Sequence, residues 1–277
     1  MNKYLHNSSS PLALMRSVNS HRKLISQMAW REVVGRYKGS VLGLVWSFVT
    51  PLLMLVVYTF VFSVVFKARW GAETMGGGKA EFALILFAGL IVHSFFSEVL
   101  NRSTSLIVSN ANYVKKVIFP LEILPIITAV SALFHVLASF IILLVVYLLV
   151  YGELHPTLVF APVIFLPLIT WVIGLAWFFA SVGVFIRDIG QVMGIATTVM
   201  LFVSPIFFPP EAIPEQYRTL IWLNPLSLVI DQFREVVIWG RYPDWISLGI
   251  YSTVSLLVGL VGYAWFQKTR KGFADVL

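Results

Sequence analysis

The sequence contains no cysteine. A disulfide framework, a thiolate metal site and a cysteine nucleophile are therefore all excluded. Charge is scarce as well. Lys, Arg, Asp and Glu make up 12% of 277 residues, where soluble proteins carry about 25%. Hydrophobic residues reach 58% against a soluble norm of roughly 45–50%. A chain with so little polar surface cannot cover a globule in water, so lipid is its main solvent. The five histidines stand apart from one another, and no His-Cys-Glu spacing suits a metal. The string Gly76-Gly77-Gly78-Lys79-Ala80 superficially suggests a phosphate-binding loop. It has Glu73 where GxxxxGK[ST] requires Gly, and Ala80 where it requires Ser or Thr, so it reads as a linker. No nucleotide site is visible.

What the chain has in abundance is long apolar runs. A hydrocarbon core about 30 Å thick needs roughly 20 apolar residues in a helix. Val41–Phe66, Phe82–Leu100, Pro125–Val150, Ala161–Ile186, Ile189–Phe208 and Trp245–Gln267 are the six candidate spans. Pro51 interrupts the first, as a membrane helix tolerates, and Lys268-Thr269-Arg270-Lys271 closes the last.

The excess of basic residues, a formal +7, fits a membrane protein with cytoplasmic loops beside anionic lipid, and no basic-aromatic nucleic-acid module is present. With both termini inside, fourteen Lys and Arg fall in cytoplasmic pieces and six in outer ones, with Arg234 counted among the outer six. That bias orients the chain with both ends cytoplasmic. The polar, basic start has no apolar core behind Met1, so no cleaved secretory signal is expected.

Residues 1–40 read as a cytoplasmic tail with a surface-lying helix over Ser20–Lys38. Leu24, Met28, Val33 and Tyr37 drift around that helix without forming a stripe. Between spans two and three, polar Asn110, Asn112, Lys115 and Lys116 mix with apolar residues up to Pro120, predicting one short surface helix. Between spans five and six, Pro205, Pro209, Pro210, Pro214 and Pro225 break an otherwise apolar stretch. Irregular backbone at membrane depth must be buried in protein or line a wet cavity, so this stretch reads as re-entrant from the outer face. Asn224-Pro225 forms an N-cap and first helical residue of a helix running to Trp239 and stopping at Gly240. Asp231, Arg234 and Glu235 make that helix interfacial.

Of the polar residues inside spans, His93, Glu98 and His135 are expected to make interhelical hydrogen bonds, and Glu98 with Arg102 a helical i,i+4 pair. Trp46, Phe48, Tyr58, Phe60 and Phe62 line the first span and Phe202, Phe207 and Phe208 the fifth. Aromatic faces stack on sugar rings, although Trp and Tyr also belt the interfaces of any membrane protein.

Arg36-Tyr37-Lys38-Gly39-Ser40-Val41-Leu42-Gly43, followed by Trp46 and Pro51, is similar to the start of the first span in type-2 ABC exporter permeases. Within these it resembles the branch exporting O-antigen, capsule, teichoic acid and related polysaccharides. Asn110 through Lys115-Lys116 to Phe119-Pro120-Leu121-Glu122, then Arg187-Asp188-Ile189, Ser204 through Pro209 and Asn224-Pro225-Leu226 follow in that branch's order. The resemblance covers Trp30 to the C-terminus.

The resemblance implies an all-α integral membrane protein: a single six-span domain over residues 41–277, an N-terminal interface helix, and a re-entrant helical gate at about 205–240. A coupling helix at about 109–119 would seat Asn110, Asn112, Tyr113, Lys115 and Lys116 against an ATPase. Trp46, Tyr58 and Phe202 would line the substrate channel, and Phe207, Phe208 and Pro209 would gate it. Two permeases would pair with two separate ATPase chains that bind the ATP and magnesium, in the bacterial inner membrane. The cargo would be a lipid-linked polysaccharide, of O-antigen type. The chain itself would be no enzyme, hold no cofactor and bind no nucleic acid. Two alternatives stand beside this: an ABC-2 permease for a small drug or lipid, or one for wall teichoic acid. Against a secondary transporter count the few charges in the spans and the lack of an internal repeat.

Overall fold

The computed structural model describes residues 10–65, 79–115 and 119–277. Among these the regular structure is helical. Two helices, α1 (Pro11–Ser20) and α2 (Arg22–Arg36), precede α3 (Trp46–Tyr58), which runs into a π-helical stretch at Thr59–Val65. Next come α4 (Lys79–Ser103), the short α5 (Leu106–Ser109) and α6 (Ala111–Val114), then α7 (Leu124–Tyr151), α8 (Ala161–Phe185) and α9 (Ile189–Val203). The chain finishes with α10 (Glu215–Leu223), α11 (Pro225–Val237), α12 (Trp245–Thr269) and the one-turn α13 (Phe273–Val276).

Five helical stretches are long and apolar enough to cross a bilayer among the described residues: Gly43–Phe62, Ala80–Ser103, Leu121–Tyr151, Pro156–Phe185 and Trp245–Val276. The expected fifth span, Ile189–Phe208, is shorter than the sequence implies. Its helix ends at Val203 after 15 residues, about 22 Å at 1.5 Å per residue. The apolar run continues to Phe208, but Ser204 turns extended (φ −75°, ψ 150°) and Pro205 has no N–H with which to prolong the helix.

Successive long helices alternate in direction between two ends of the bundle. At the proximal end, α1, α2 and α13 gather with the last turns of α4, α8 and α12. A second apolar core there joins Ile25, Ile107, Leu121, Trp177, Phe266 and Phe273. At the distal end, the Tyr147 hydroxyl donates to the Ile238 carbonyl (3.1 Å) and lies 2.8 Å from His155 Nε2. Thr157 donates to the Val236 carbonyl (2.7 Å). Gly240 turns the chain there with φ +65°, and a Cβ on it would meet the His155 ring at 2.6 Å. The first turn of α12 is capped by Asp244, which accepts from the Ile246 N–H at 3.0 Å and the Ser247 hydroxyl at 2.5 Å. The Ser247 bonds hold its carboxyl below the ordinary aspartate value.

Helix α4 is the hub. Seventy-eight per cent of its apolar window is buried inside the chain, against 11% for α3. Leu84, Ile85, Leu86, Phe87 and Ala88 are consecutive and all buried, so every side of this helix meets protein. Lipid is as apolar as a leucine side chain, so the hydrophobic effect does not hold such helices together; close packing does. The α8–α12 pair depends on small residues for it. A Cβ on Gly174 would lie 2.7 Å from the Gly259 Cα, and one on Gly262 would meet the Gly174 carbonyl.

Helix α2 corrects the sequence reading. Its buried stripe is Ile25, Met28, Ala29 and Val33, an i, i+3, i+4, i+8 pattern in which Ile25 and Ala29 stand with Met28 and Val33 in place of Leu24 and Tyr37. The loop after α4 also differs. In place of one surface helix there are two one-turn helices, and Leu106 and Ile107 are buried.

Replacing Gly174 with Val should force α8 and α12 apart and cost about 1–3 kcal/mol by overpacking. Gly249→Val, where a Cβ meets nothing within 4 Å, should be close to neutral. Thermal unfolding of both variants in one detergent measures the difference.

Candidate functional site

The proximal end carries the polar chemistry. Glu98, in the last turns of α4, accepts from Arg36 Nη1 (2.6 Å) and from Arg102 Nη1 (3.5 Å) and lies 3.1 Å from His135 Nδ1 on α7. Arg102 also pairs with Glu32 on α2. The Glu98–Arg102 pair is the one expected from the sequence, and the Glu98–His135 contact gives each of these two residues the interhelical bond expected of it. The involvement of α2 is not, because it depends on where Glu32 and Arg36 fall once that helix docks. Tyr37 stands at the edge of this network, with its ring 6.0 Å from His135. Burial raises its hydroxyl above the ordinary tyrosine value, which keeps it neutral beside the charges. Deeper in α4, the ring of His93 bonds the Thr197 carbonyl through Nε2 (2.9 Å), the interhelical bond expected of it.

A second node was missed. Glu122, 8% exposed, accepts from Ser17 on α1 (2.9 Å) and from Arg270 after α12 (2.8 Å), while its carbonyl accepts from Trp177 Nε1 (2.9 Å). The sequence signals were its place in the Phe119-Pro120-Leu121-Glu122 motif and a carboxylate at the head of an apolar run. Glu122 fastens the stretch after α6 to both ends of the chain.

The residues expected to contact an ATPase divide unequally. Asn112 and Lys115 are exposed. Asn110 instead uses its side-chain amide to close α5, donating to the Leu106 carbonyl (2.8 Å). Tyr113 stacks on Phe119 (centroids 4.3 Å, 12°), and its hydroxyl accepts from Arg31 on α2 (3.2 Å). Lys116 lies outside the described residues.

Towards the distal end, the rings of Tyr58, Phe62, Phe202 and Phe207 cluster. Phe62 stacks on Phe207 at 4.8 Å and 19°, Tyr58 lies 6.2 Å from Phe207, and Phe202 lies 5.7 Å from it. Of the expected channel residues the structure thus unites Tyr58 and Phe202, around the expected gate residue Phe207. Trp46 lies twelve residues before Tyr58 on α3, about 18 Å along the axis, and is not in the cluster. Phe208 and Pro209 follow it in the chain, half-buried.

The segment bearing Phe207 is held from beneath. Arg234, expected to mark a surface helix, is 2% exposed. It donates to three backbone carbonyls: Ile85 on α4 (2.9 Å), Pro205 (2.6 Å) and Ile206 (3.1 Å). Nine of the thirteen residues of α11 are buried, so its charges do not place it at a surface as expected. With Arg234 buried in the protein, it drops out of the six basic residues expected in outer pieces, leaving five against fourteen in the expected count. Asn224 caps α11 as anticipated, accepting from the Leu226 N–H (2.9 Å), and its amide also bonds the Ser204 hydroxyl (2.8 Å).

Five apolar helices long enough to cross a bilayer, with a charged, interlocked end and an aromatic-packed irregular segment at the other, define a multi-pass membrane protein. The chain belongs to the ABC-2 type transporter family, whose pattern it matches over residues 23–238, and so is a transport subunit. It is 29% identical over 252 residues to an O-antigen export system permease protein RfbA of Klebsiella pneumoniae, covering 89% of this chain and 92% of that protein. It is 28% identical to an RfbA permease of Myxococcus xanthus, covering 95% and 99%. To the polysialic acid transport protein KpsM of Escherichia coli it is 26% identical, covering 84% and 89%.

Glu98→Gln keeps an acceptor oxygen but removes the negative charge that Arg36, Arg102 and His135 share. Arg36 is half exposed, so we expect a loss of about 1 kcal/mol, the upper end for a screened pair. The thermal midpoint of the purified protein measures it.

Proposed function

We propose that this chain is the permease subunit of an ATP-driven exporter moving lipid-linked polysaccharide, of O-antigen type, across the inner membrane. The observation that carries this reading is the near end-to-end similarity to permeases named for O-antigen export. ATP and magnesium would be bound by a separate ATPase, two copies of which serve two permeases. The proximal end is the cytoplasmic one in this reading. It gathers the basic residues, both chain ends and the exposed Asn112 and Lys115. Motion of an ATPase beneath α5 and α6 would pass through Tyr113 and Arg31 to α2, and through Glu122 to α8 and α12.

Six passages and a re-entrant segment belong to the same proposal. Three helices (α3, α7, α9) leave the proximal end and three (α4, α8, α12) return to it, which agrees with both termini on one side. The short α9 would be completed by Ser204–Phe208. Helix α11 is about 20 Å long, and its last residues are tied at the distal end. Its first residues therefore reach inward, with α10 leading down to them from outside. The aromatic cluster around Phe207 would close the outer end of the path, with Tyr58 and Phe202 offering faces on which sugar rings stack.

Three experiments test this reading. Single cysteines at Asn2, Gly77, Glu153 and Gly272, in a chain with none of its own, should label from inside, outside, outside and inside; any other pattern overturns the six-passage topology. Copurification with the native ATPase should retain a lipid-linked glycan detectable by mass. Replacing Lys115 and Lys116 by Glu should lower stimulated ATPase activity without unfolding the spans. Export at the wild-type rate in that variant would move the contact elsewhere.

A further inference from the structure

The chain between α9 and α10 has a problem that its own backbone cannot solve. Past Val203 the helix stops, and the carbonyls of Pro205 and Ile206 have no helical donor to meet. Prolines at 205, 209 and 210 remove three N–H groups from the neighbourhood. Both carbonyls are buried, Ile206 fully, where water cannot substitute. The donor that answers both is the Arg234 guanidinium, whose third N–H reaches the Ile85 carbonyl of α4.

Space for the guanidinium is provided at Gly89. A Cβ there would lie 2.8 Å from Arg234 Nη2 and 3.4 Å from Ile206 Cγ1. Three elements thus meet at one planar group: the hub helix, the helix that carries the arginine, and the irregular segment bearing Phe207.

We propose that Arg234 is a positioning residue for transport, a latch that holds the Ser204–Pro209 segment against α4 and so keeps the aromatic closure shut at rest. This rests on the reading that the Phe207 segment closes the outer end. The fork geometry matters. Guanidinium offers five N–H donors in a plane and bridges two consecutive carbonyls together with a third, whereas an ammonium is a point donor on a flexible stem. Moving the segment outward breaks two charge-assisted bonds in a dry site. The latch therefore yields only when water or carbohydrate hydroxyls arrive to replace the lost partners. Opening is tied to hydration of the path, and an idle permease stays sealed to ions.

The test uses the full permease–ATPase complex in proteoliposomes, with resting permeability to a small ion read without ATP or glycan. Losing a charge-assisted bond shifts a closed–open equilibrium by about tenfold or more. Arg234→Lys and Gly89→Ala should therefore leak at least that much faster, while copurification with the ATPase is retained. Gly89→Ala keeps every charge and donor and only displaces the guanidinium, so it decides the matter if Arg234→Lys fails to accumulate. A Gly89→Ala protein as tight as the wild type overturns the latch. Phe207→Ala with Phe208→Ala is measured alongside. If that variant leaks and Gly89→Ala does not, the closure stands without the latch. If neither leaks, the closure itself is lost.

Discussion

A carbonyl oxygen inside a bilayer has to find its donor within the protein, and at the end of α9 two consecutive carbonyls find the same guanidinium. The rest of the distal architecture follows from that bond set. Because Arg234 satisfies Pro205 and Ile206, the chain can leave a helix while buried among its neighbours. Because it also grips Ile85, the departing segment lies against the most buried helix of the bundle. Phe207 is thereby brought onto Phe62, and α11 is drawn inward so that nine of its residues are buried. Glycine at position 89 leaves room for the guanidinium, which a Cβ there would crowd at 2.8 Å.

The proximal end solves a different problem by different means. Side chains there are only partly shielded, so charges pair with charges rather than with backbone. Glu98 gathers Arg36, Arg102 and His135, and Glu122 gathers Ser17 and Arg270. Each exposed member adds little by itself in a screened setting. Collectively they fix α1, α2 and the C-terminal turn to the long helices, giving the face where α5 and α6 sit a rigid frame. In the proposed exporter that frame transmits a push, while the distal end responds to one.

Much of this was legible in the sequence. The span predicted at Pro125–Val150 is the helix Leu124–Tyr151, and that at Ala161–Ile186 is Ala161–Phe185, because unbroken apolar runs leave the backbone little choice in lipid. Asn224-Pro225 announced its helix start through local chemistry alone. What escaped reading depended on partners that sequence does not display. Arg234 looked like a surface charge because its acceptors are backbone carbonyls, which every residue has. The stripe of α2 was obscured because Leu24 and Tyr37 are as apolar as Ile25 and Ala29, and only docking decides which side is covered. The end of α9 was hidden in an apolar run that continues past the last helical residue. Tyr58 and Phe202, expected in one path with Trp46, do come together around Phe207, whereas helical rise separates Trp46 from that cluster by several turns.

The glycines between α8 and α12 carry a mechanical consequence. Where backbone rests on backbone at Gly174, Gly259 and Gly262, no side chain can change rotamer to absorb sliding. The two helices therefore shift together or not at all. Joined through Trp177 to Glu122, they give the bundle one stiff pair. The outward residues of α3 and α9, among them Val56, Phe60, Ile195 and Phe202, by contrast remain exposed within the chain. Side-chain size thus sets where the bundle is tightly seated: glycine brings backbone onto backbone, while bulky side chains stand on the open faces.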